Sequence, residues 1–170
     1  RVFKLFRHAD VGMNEQHVAL IGLNVARALA HAHEKTHRDE EARGADYFVP
    51  MHGDLSPENI LISNEGRVRV TNFFNARAKR RVACKLGTDY LSRKMSHQAP
   101  EQLQKGRADE RSDIFSLGAV LFEMLTGSLL FSGDSYLTIQ EKVLSADVPT
   151  LTSTKVEVTP RFDAIIRKAL

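Results

Sequence analysis

Residues 112–127 read SDIFSLGAVLFEMLTG, a run in which apolar side chains fill most positions. A helix that is apolar on all sides is normally buried at the centre of a protein. Ser112 or Asp113 is the predicted N-cap of this helix, and Gly127 follows its predicted end. The sequence therefore predicts a domain built around one central helix.

The segments around this helix favour further helices over strands. Apolar residues recur at helical spacing over 16–35, and weaker patterns of the same kind cover 136–145 and 160–170. The charged run HRDEEARG, residues 37–44, is expected to be a solvated loop. These patterns indicate a mostly α-helical protein of the α+β class.

The predicted strands are few and short. Residues 60–63 (ILIS) and 67–71 (RVRVT) flank a turn at Asn64-Glu65-Gly66, which predicts a β-hairpin. Residues 47–49 (YFV) are expected to form another short strand before Pro50.

Composition excludes several classes of protein. Of the 170 residues, 42% are apolar and 26% are charged, as is usual for a globular domain. The one cysteine, Cys84, excludes a disulfide scaffold and a multi-cysteine metal site. A net charge of +3 is too small to indicate nucleic-acid binding. The chain has neither an apolar run of ~18 residues nor a signal peptide, so we expect no membrane segment and a cytoplasmic location.

One short motif resembles a zinc-protease signature. Residues 33–37 read HEKTH and match H-E-x-x-H, in which two histidines on one helical face hold zinc. The position of the third histidine in the extended signature holds Arg43. We therefore expect His33 to lie at a solvated helix end, where the helix dipole favours histidine, rather than to bind zinc.

The strongest chemical signal is HGDLSPEN, residues 52–59. An aspartate five residues ahead of an asparagine suits phosphoryl transfer. Asp54 would accept the proton of a substrate hydroxyl, and the Asn59 amide oxygen would bind Mg²⁺. Asn72, at the exit of the predicted hairpin, is the candidate second metal ligand.

The order of four motifs resembles the C-terminal lobe of a protein kinase. HGDLSPEN, NFF (72–74), APE (99–101) and SDIFSLG follow one another as H-R-D-L-x-x-x-N, D-F-G and A-P-E do in kinases. The sequence of residues 112–127 is most similar to that of bacterial eukaryotic-like serine/threonine kinases. The resemblance covers residues 16–170. It implies a partial kinase domain over 1–170, with the N-lobe missing and the C-terminal end truncated, because no glycine-rich loop or strand lysine is present.

The resemblance assigns reactive and binding roles. It implies Asp54 as catalytic base, Asn59 and Asn72 as ligands of Mg²⁺ and nucleotide, and Leu61 as the floor beneath the adenine. Ser56 takes the position of a lysine that contacts the γ-phosphate in many serine/threonine kinases. The resemblance implies ATP and Mg²⁺ as cofactors of the parent protein, the longer protein of which this chain would be a fragment. The implied partners are a protein substrate or docking partner and the missing N-lobe.

The resemblance also assigns structural roles. His52 and Phe73 would pack in an internal apolar spine, and Asp113 would bond the catalytic-loop backbone. Thr88 would lie near the substrate groove. Glu101 belongs to the A-P-E motif, and the usual arginine partner of this glutamate would fall beyond Leu170.

Three departures from the kinase pattern favour weak or absent activity. Asn72 stands where the family has aspartate, Phe74 where it has glycine, and Gly53 where it has arginine. Mg²⁺ prefers carboxylate oxygens, so Asn72 should weaken its binding. The parent is thus either a serine/threonine kinase, with this fragment inactive, or a pseudokinase that acts as a binding or scaffold module.

A third alternative is a small-molecule phosphotransferase of the aminoglycoside or choline type. Those enzymes share the H-G-D-L…N loop, and Gly53 suits them better than it suits protein kinases. They should lack A-P-E and the central helix motif, and both are present here.

Overall fold

The computed structural model of the chain describes residues 12–43, 51–73, 94–104, 108–151 and 156–170, with the backbone alone over 36–43. The elements in chain order are helix α1 (Glu15–Arg43), a 3₁₀ turn (Pro57–Asn59), strands β1 (Ile60–Ile62) and β2 (Val68–Val70), and helices α2 (Pro100–Leu103), α3 (Glu110–Thr126), α4 (Tyr136–Ser145) and α5 (Pro160–Ala169). This arrangement is mostly helical, as predicted.

Helix α3 is the buried centre of the fold, as its apolar sequence predicts. The predicted N-cap was wrong, because the cap is Asp109. The Asp109 carboxylate accepts from the Arg111 N–H at 2.7 Å, and the Ser112 hydroxyl accepts from the Asp109 N–H at 3.2 Å. These reciprocal bonds satisfy donors that the helix leaves open at its start. Gly127 closes the helix in the left-handed conformation, with φ of 74°.

Helix α1 packs along α3 and extends further than predicted. Its backbone stays helical through Arg43, so the loop predicted from residue 37 was wrong over 37–43. The glutamates and arginines of that run are good helix formers even without apolar periodicity. Gly22 lets the two helices approach closely, since a Cβ built there would lie 2.8 Å from Leu121 Cδ2.

The predicted hairpin is confirmed. Strands β1 and β2 are antiparallel, with Ile60 opposite Val70 and Ile62 opposite Val68. Ile60 packs against the main core, whereas the side chain at the next position, Leu61, is 53% exposed. One face of the hairpin therefore covers the edge of the core next to the 3₁₀ turn. The strand predicted over 47–49 lies outside the described residues.

Two apolar clusters flank helix α3. The larger joins α1, α3 and α5 and includes Val25, Val120 and Ile166, whereas the smaller joins α2 and α4 to Phe115 and Phe131. The helices predicted near residues 136–145 and 160–170 are both confirmed. Within the described parts of the chain, no helix is long and apolar enough to cross a membrane.

Candidate active site

The loop that carries the HGDLSPEN motif is fastened to the central helix by one carboxylate. Asp113, in the first turn of α3, is fully buried. Its Oδ2 accepts from the His52 N–H at 2.7 Å and its Oδ1 accepts from the Gly53 N–H at 2.8 Å. A carboxylate that accepts two backbone N–H bonds makes strong, charge-assisted contacts. The structure therefore places Asp113 as the anchor of this loop.

A third contact to Asp113 comes from His33, which was expected at a solvated helix end. The His33 ring Nε2 lies 2.9 Å from Asp113 Oδ2, and His33 is only 8% exposed. The expectation of a solvated helix end was therefore wrong. His33 follows Leu29 by one helical turn on the buried face of α1, and extending that face would have identified it. Among the described residues, no group of three or more histidine, cysteine or acidic side chains could hold a metal ion.

His52 and Gly53 shape the turn that leads into Asp54. His52 is fully buried, and its ring Nε2 lies 2.8 Å from the Thr71 carbonyl oxygen. Its Nδ1 accepts from the Asp54 N–H at 3.3 Å, so one neutral tautomer satisfies both contacts. The Phe73 ring packs edge-on against it at 4.8 Å. Gly53 has φ of 67°, a conformation that an arginine would adopt only with strain.

Asp54 faces a lysine from a distant part of the chain. The Lys94 Nζ lies 2.5 Å from Asp54 Oδ1, and the side chains of Lys94 and Asp54 are 18% and 8% exposed. A buried carboxylate is costly unless a cation or hydrogen bonds compensate it, and Lys94 provides that compensation. The motif analysis missed Lys94, because the two residues lie 40 positions apart and no motif links them.

The two candidate metal ligands are bonded to each other. Asn59 donates through Nδ2 to the Asp54 carbonyl oxygen at 2.6 Å, and its Oδ1 accepts from Asn72 Nδ2 at 2.6 Å. Asn72 has φ of 67°, which asparagine tolerates better than most residues do. The Thr71 N–H donates to the Asn59 carbonyl at 2.9 Å and holds the hairpin exit beside the turn. The structure thus brings Asp54, Asn59 and Asn72 into one polar cluster.

As these side chains stand, they do not fit Mg²⁺. Mg²⁺ requires oxygen ligands and is usually held by carboxylates together with substrate phosphates. The Asn59 oxygen faces an amide N–H of Asn72, and the carboxylate of Asp54 faces the Lys94 ammonium. Asn59 Oδ1 and Asp54 Oδ1 therefore already accept hydrogen bonds from donors of this chain.

The remaining predicted site residues lie around this cluster. Ser56 is buried as the N-cap of the 3₁₀ turn, and its carbonyl accepts from the Asn59 N–H at 2.9 Å. Leu61 is exposed on the hairpin, outside the polar cluster. Glu101 accepts a hydrogen bond from the Ser112 hydroxyl and so joins α2 to α3. Thr88 lies outside the described residues, as do Phe74 and Cys84.

One further contact ties helix α2 to the loop. The Gln102 Nε2 donates to the Gly53 carbonyl oxygen at 3.1 Å, and its Oε1 accepts from the Ala99 N–H at 2.9 Å. Gln102 therefore links the A-P-E segment to the residue that precedes Asp54.

Comparison with known proteins gives a consistent match. The model of the protein kinase domain matches residues 1–169. The chain is 40% identical over 116 residues to the serine/threonine-protein kinase PknL of Mycobacterium tuberculosis, which is 68% of this chain and 29% of PknL. It is 34% identical over 145 residues to the serine/threonine-protein kinase PrkC of Bacillus subtilis, which is 85% of this chain and 20% of PrkC.

Another relative carries a different acceptor in its name. The chain is 30% identical over 148 residues to the tyrosine-protein kinase MasK of Myxococcus xanthus, which is 87% of this chain and 22% of MasK. The chain thus spans between a fifth and three tenths of the length of these three relatives.

Proposed function

Because the chain belongs to the protein kinase domain family, we propose that the full-length protein transfers the γ-phosphoryl group of ATP to a protein hydroxyl, with Asp54 as the base. The family generally uses ATP with Mg²⁺ and acts on protein substrates. The observation that carries the proposal is the position of Asp54. It lies on a loop whose two preceding N–H groups are bonded to the buried carboxylate of Asp113.

The proposed reaction uses the carboxylate of Asp54 at one step. The substrate hydroxyl oxygen forms a bond to the γ-phosphorus, and the bond from that phosphorus to the β,γ-bridging oxygen breaks with its electron pair leaving on ADP. Asp54 accepts the hydroxyl proton as this occurs. His52 and Asn59 hold the Asp54 backbone through its N–H and its carbonyl oxygen, so the carboxylate stays oriented.

Serine and threonine are the proposed acceptors. PknL and PrkC are named as serine/threonine kinases and are more similar to this chain than the tyrosine kinase MasK, which supports this choice. The match to the protein kinase domain also favours a protein over a small-molecule acceptor.

The test is phosphorylation of a generic basic protein by the full-length protein. The variant Asp54→Ala should lower the rate about 10²–10⁴-fold, since a general base contributes on that order. Asp134→Ala is the matched control, because Asp134 is an exposed acidic residue far along the sequence from the loop. Equal rates for Asp54→Ala and the unaltered protein would contradict the proposal.

A second candidate function is supported by the amide pair of Asn59 and Asn72. In this alternative the protein is a pseudokinase that binds partners without turning over ATP. The Asn72 Nδ2 donates to Asn59 Oδ1, where a metal-binding site would present two oxygens. This contact gives the Asn59 amide oxygen a donor from the chain in place of a cation and so favours a site that works without Mg²⁺.

The variant Asn72→Asp separates the two functions. A carboxylate at residue 72 replaces the hydrogen-bond donor with an anion. If the protein is a pseudokinase that works without Mg²⁺, the variant should gain a Mg²⁺-dependent rise in melting temperature that the unaltered protein lacks. A thermal melt with Mg²⁺ alone, and then with Mg²⁺ and ATP, measures the gain. If the unaltered protein turns over Mg²⁺-ATP and the variant does so at the same rate, the pseudokinase alternative fails.

A further inference from the structure

Lys94 is the one cation near Asp54 among the described ion pairs, and the phosphoryl-transfer proposal does not use it. Its Nζ lies 2.5 Å from Oδ1 of Asp54, the carboxylate that accepts the substrate proton in the proposed reaction. An ammonium group only donates hydrogen bonds, so it cannot replace the carboxylate as an acceptor. While the pair persists, a substrate hydroxyl must compete with Lys94 for this oxygen.

The backbone that carries Lys94 is anchored to the central helix. Three residues further on, the His97 ring Nε2 lies 2.7 Å from Glu123 Oε2 of α3, and both side chains are buried. Met95 and Ala99 pack in the smaller apolar cluster beside Phe115. The segment over 94–99 is therefore held on α3 by polar and apolar contacts, which keeps Lys94 beside Asp54.

The Lys94 ammonium is carried on a flexible stem, so it can move relative to the backbone of this segment. Lys94 is the longer and more exposed partner of the pair, at 18% against 8% for Asp54. A lysine has a flexible four-carbon stem and a strongly hydrated ammonium group. Rotation of that stem would transfer the charge to water while His97 stays on Glu123.

From these contacts we propose that the Lys94 ammonium blocks Oδ1 of Asp54, an oxygen that would otherwise accept the substrate proton. The substrate hydroxyl reaches Oδ1 of Asp54 only after the ammonium withdraws, so Lys94 sets the fraction of molecules in which that oxygen can accept the proton. This inference rests on the proposed function of Asp54. When a site is open for only a fraction of the time, the apparent affinity for its ligand falls by that fraction.

The first experiment measures phosphorylation rates at subsaturating protein substrate for Lys94→Met and Lys94→Arg in the full-length protein. Lys94→Met should raise the rate about five- to tenfold, and Lys94→Arg, which keeps the charge, should stay within about twofold of the unaltered protein. Lys168→Met is the matched control, because Lys168 is exposed on α5. An unchanged or lower rate in Lys94→Met overturns the proposal, since a lysine that positions the base would give that result.

A second measurement remains decisive if the protein proves inactive or if its activity survives Asp54→Ala. Those results would overturn the proposed function but would leave the ion pair of Lys94 and Asp54 to be tested. Brief acylation with an amine-reactive ester, followed by mass spectrometry, should then label Lys94 more slowly than Lys168. In Asp54→Asn the labelling of Lys94 should rise about tenfold, because the ion pair is lost. Equal labelling of Lys94 with and without the Asp54 carboxylate overturns the proposal.

Discussion

At the scale of single residues, the active-site loop depends on the carboxylate of Asp113. Three hydrogen bonds converge on it, from the His52 and Gly53 backbones and from the His33 ring. A neutral amide at residue 113 would present one N–H₂ group to these donors in place of an oxygen. The cost of such a change is large where the site is fully buried.

We expect Asp113→Asn to lower the free energy of unfolding by about 3 kcal/mol, since breaking a buried charged contact costs on that order. Urea unfolding of the full-length protein measures the change. Asp134→Asn, at an exposed position, should alter stability by less than about 0.5 kcal/mol. A midpoint for Asp113→Asn equal to that of the control would contradict the role of Asp113 as anchor.

Sequence reasoning identified some of these residues and missed others for a physical reason. The motifs predict Asp54, Asn59 and Asn72, and these residues meet because a short turn and a hairpin carry them. Lys94 contacts Asp54 across a separation of 40 residues, and His33 contacts Asp113 across a separation of 80 residues. Those contacts depend on how distant segments pack, which no local motif records.

At the scale of elements, the start of helix α3 matters most, because Asp113 lies in its first turn. The helix begins with a cap at Asp109, whose side chain accepts from the Arg111 N–H. Its carboxylate also lies at the positive end of the helix dipole. The position of Asp113 is thus fixed one turn after a well-capped helix end.

The variant Asp109→Ala should cost about 1 kcal/mol of stability, the usual value for loss of an N-cap side chain. Thermal or urea unfolding measures it, with Asp147→Ala as a control at an exposed position outside any helix. An equal effect of the two substitutions would show that the Asp109 cap contributes nothing specific.

The predicted and observed elements differ at helix ends, where apolar periodicity alone does not fix the boundary. The central helix was predicted from apolar content, but its cap was misplaced, because several residues that can cap a helix precede the apolar run. Helix α1 was predicted too short, because apolar periodicity stops before the helix does. Charged residues with high helix propensity continued it.

At the scale of the whole molecule, small residues allow three helices to pack closely. A Cβ built on Gly118 of α3 would lie 2.9 Å from Leu170 Cγ and 3.1 Å from Ala169 Cβ, at the end of α5. Gly22 makes the corresponding approach between α1 and α3. The sequence predicted these helices, but it gave no measure of how closely they approach.

The variant Gly118→Val should therefore destabilise the protein by about 1–3 kcal/mol through overpacking, despite the better helix propensity of valine. Ala164→Val adds two carbons at an exposed position of α5 and should change stability by at most about 0.7 kcal/mol, the range of helix propensity among ordinary residues. Equal melting temperatures for the two variants would mean that α5 can shift without cost.

The bonds from His52 and Gly53 to Asp113 also have a consequence for motion. Their amide hydrogens point at a carboxylate that belongs to the innermost helix, so they are shielded from water until that helix moves. Groups protected in this way open mainly through the unfolding of the core rather than through fraying of a loop. The amides of His52 and Gly53, which lead into Asp54, should therefore exchange as slowly as those of the core, although these two residues belong to no helix or strand.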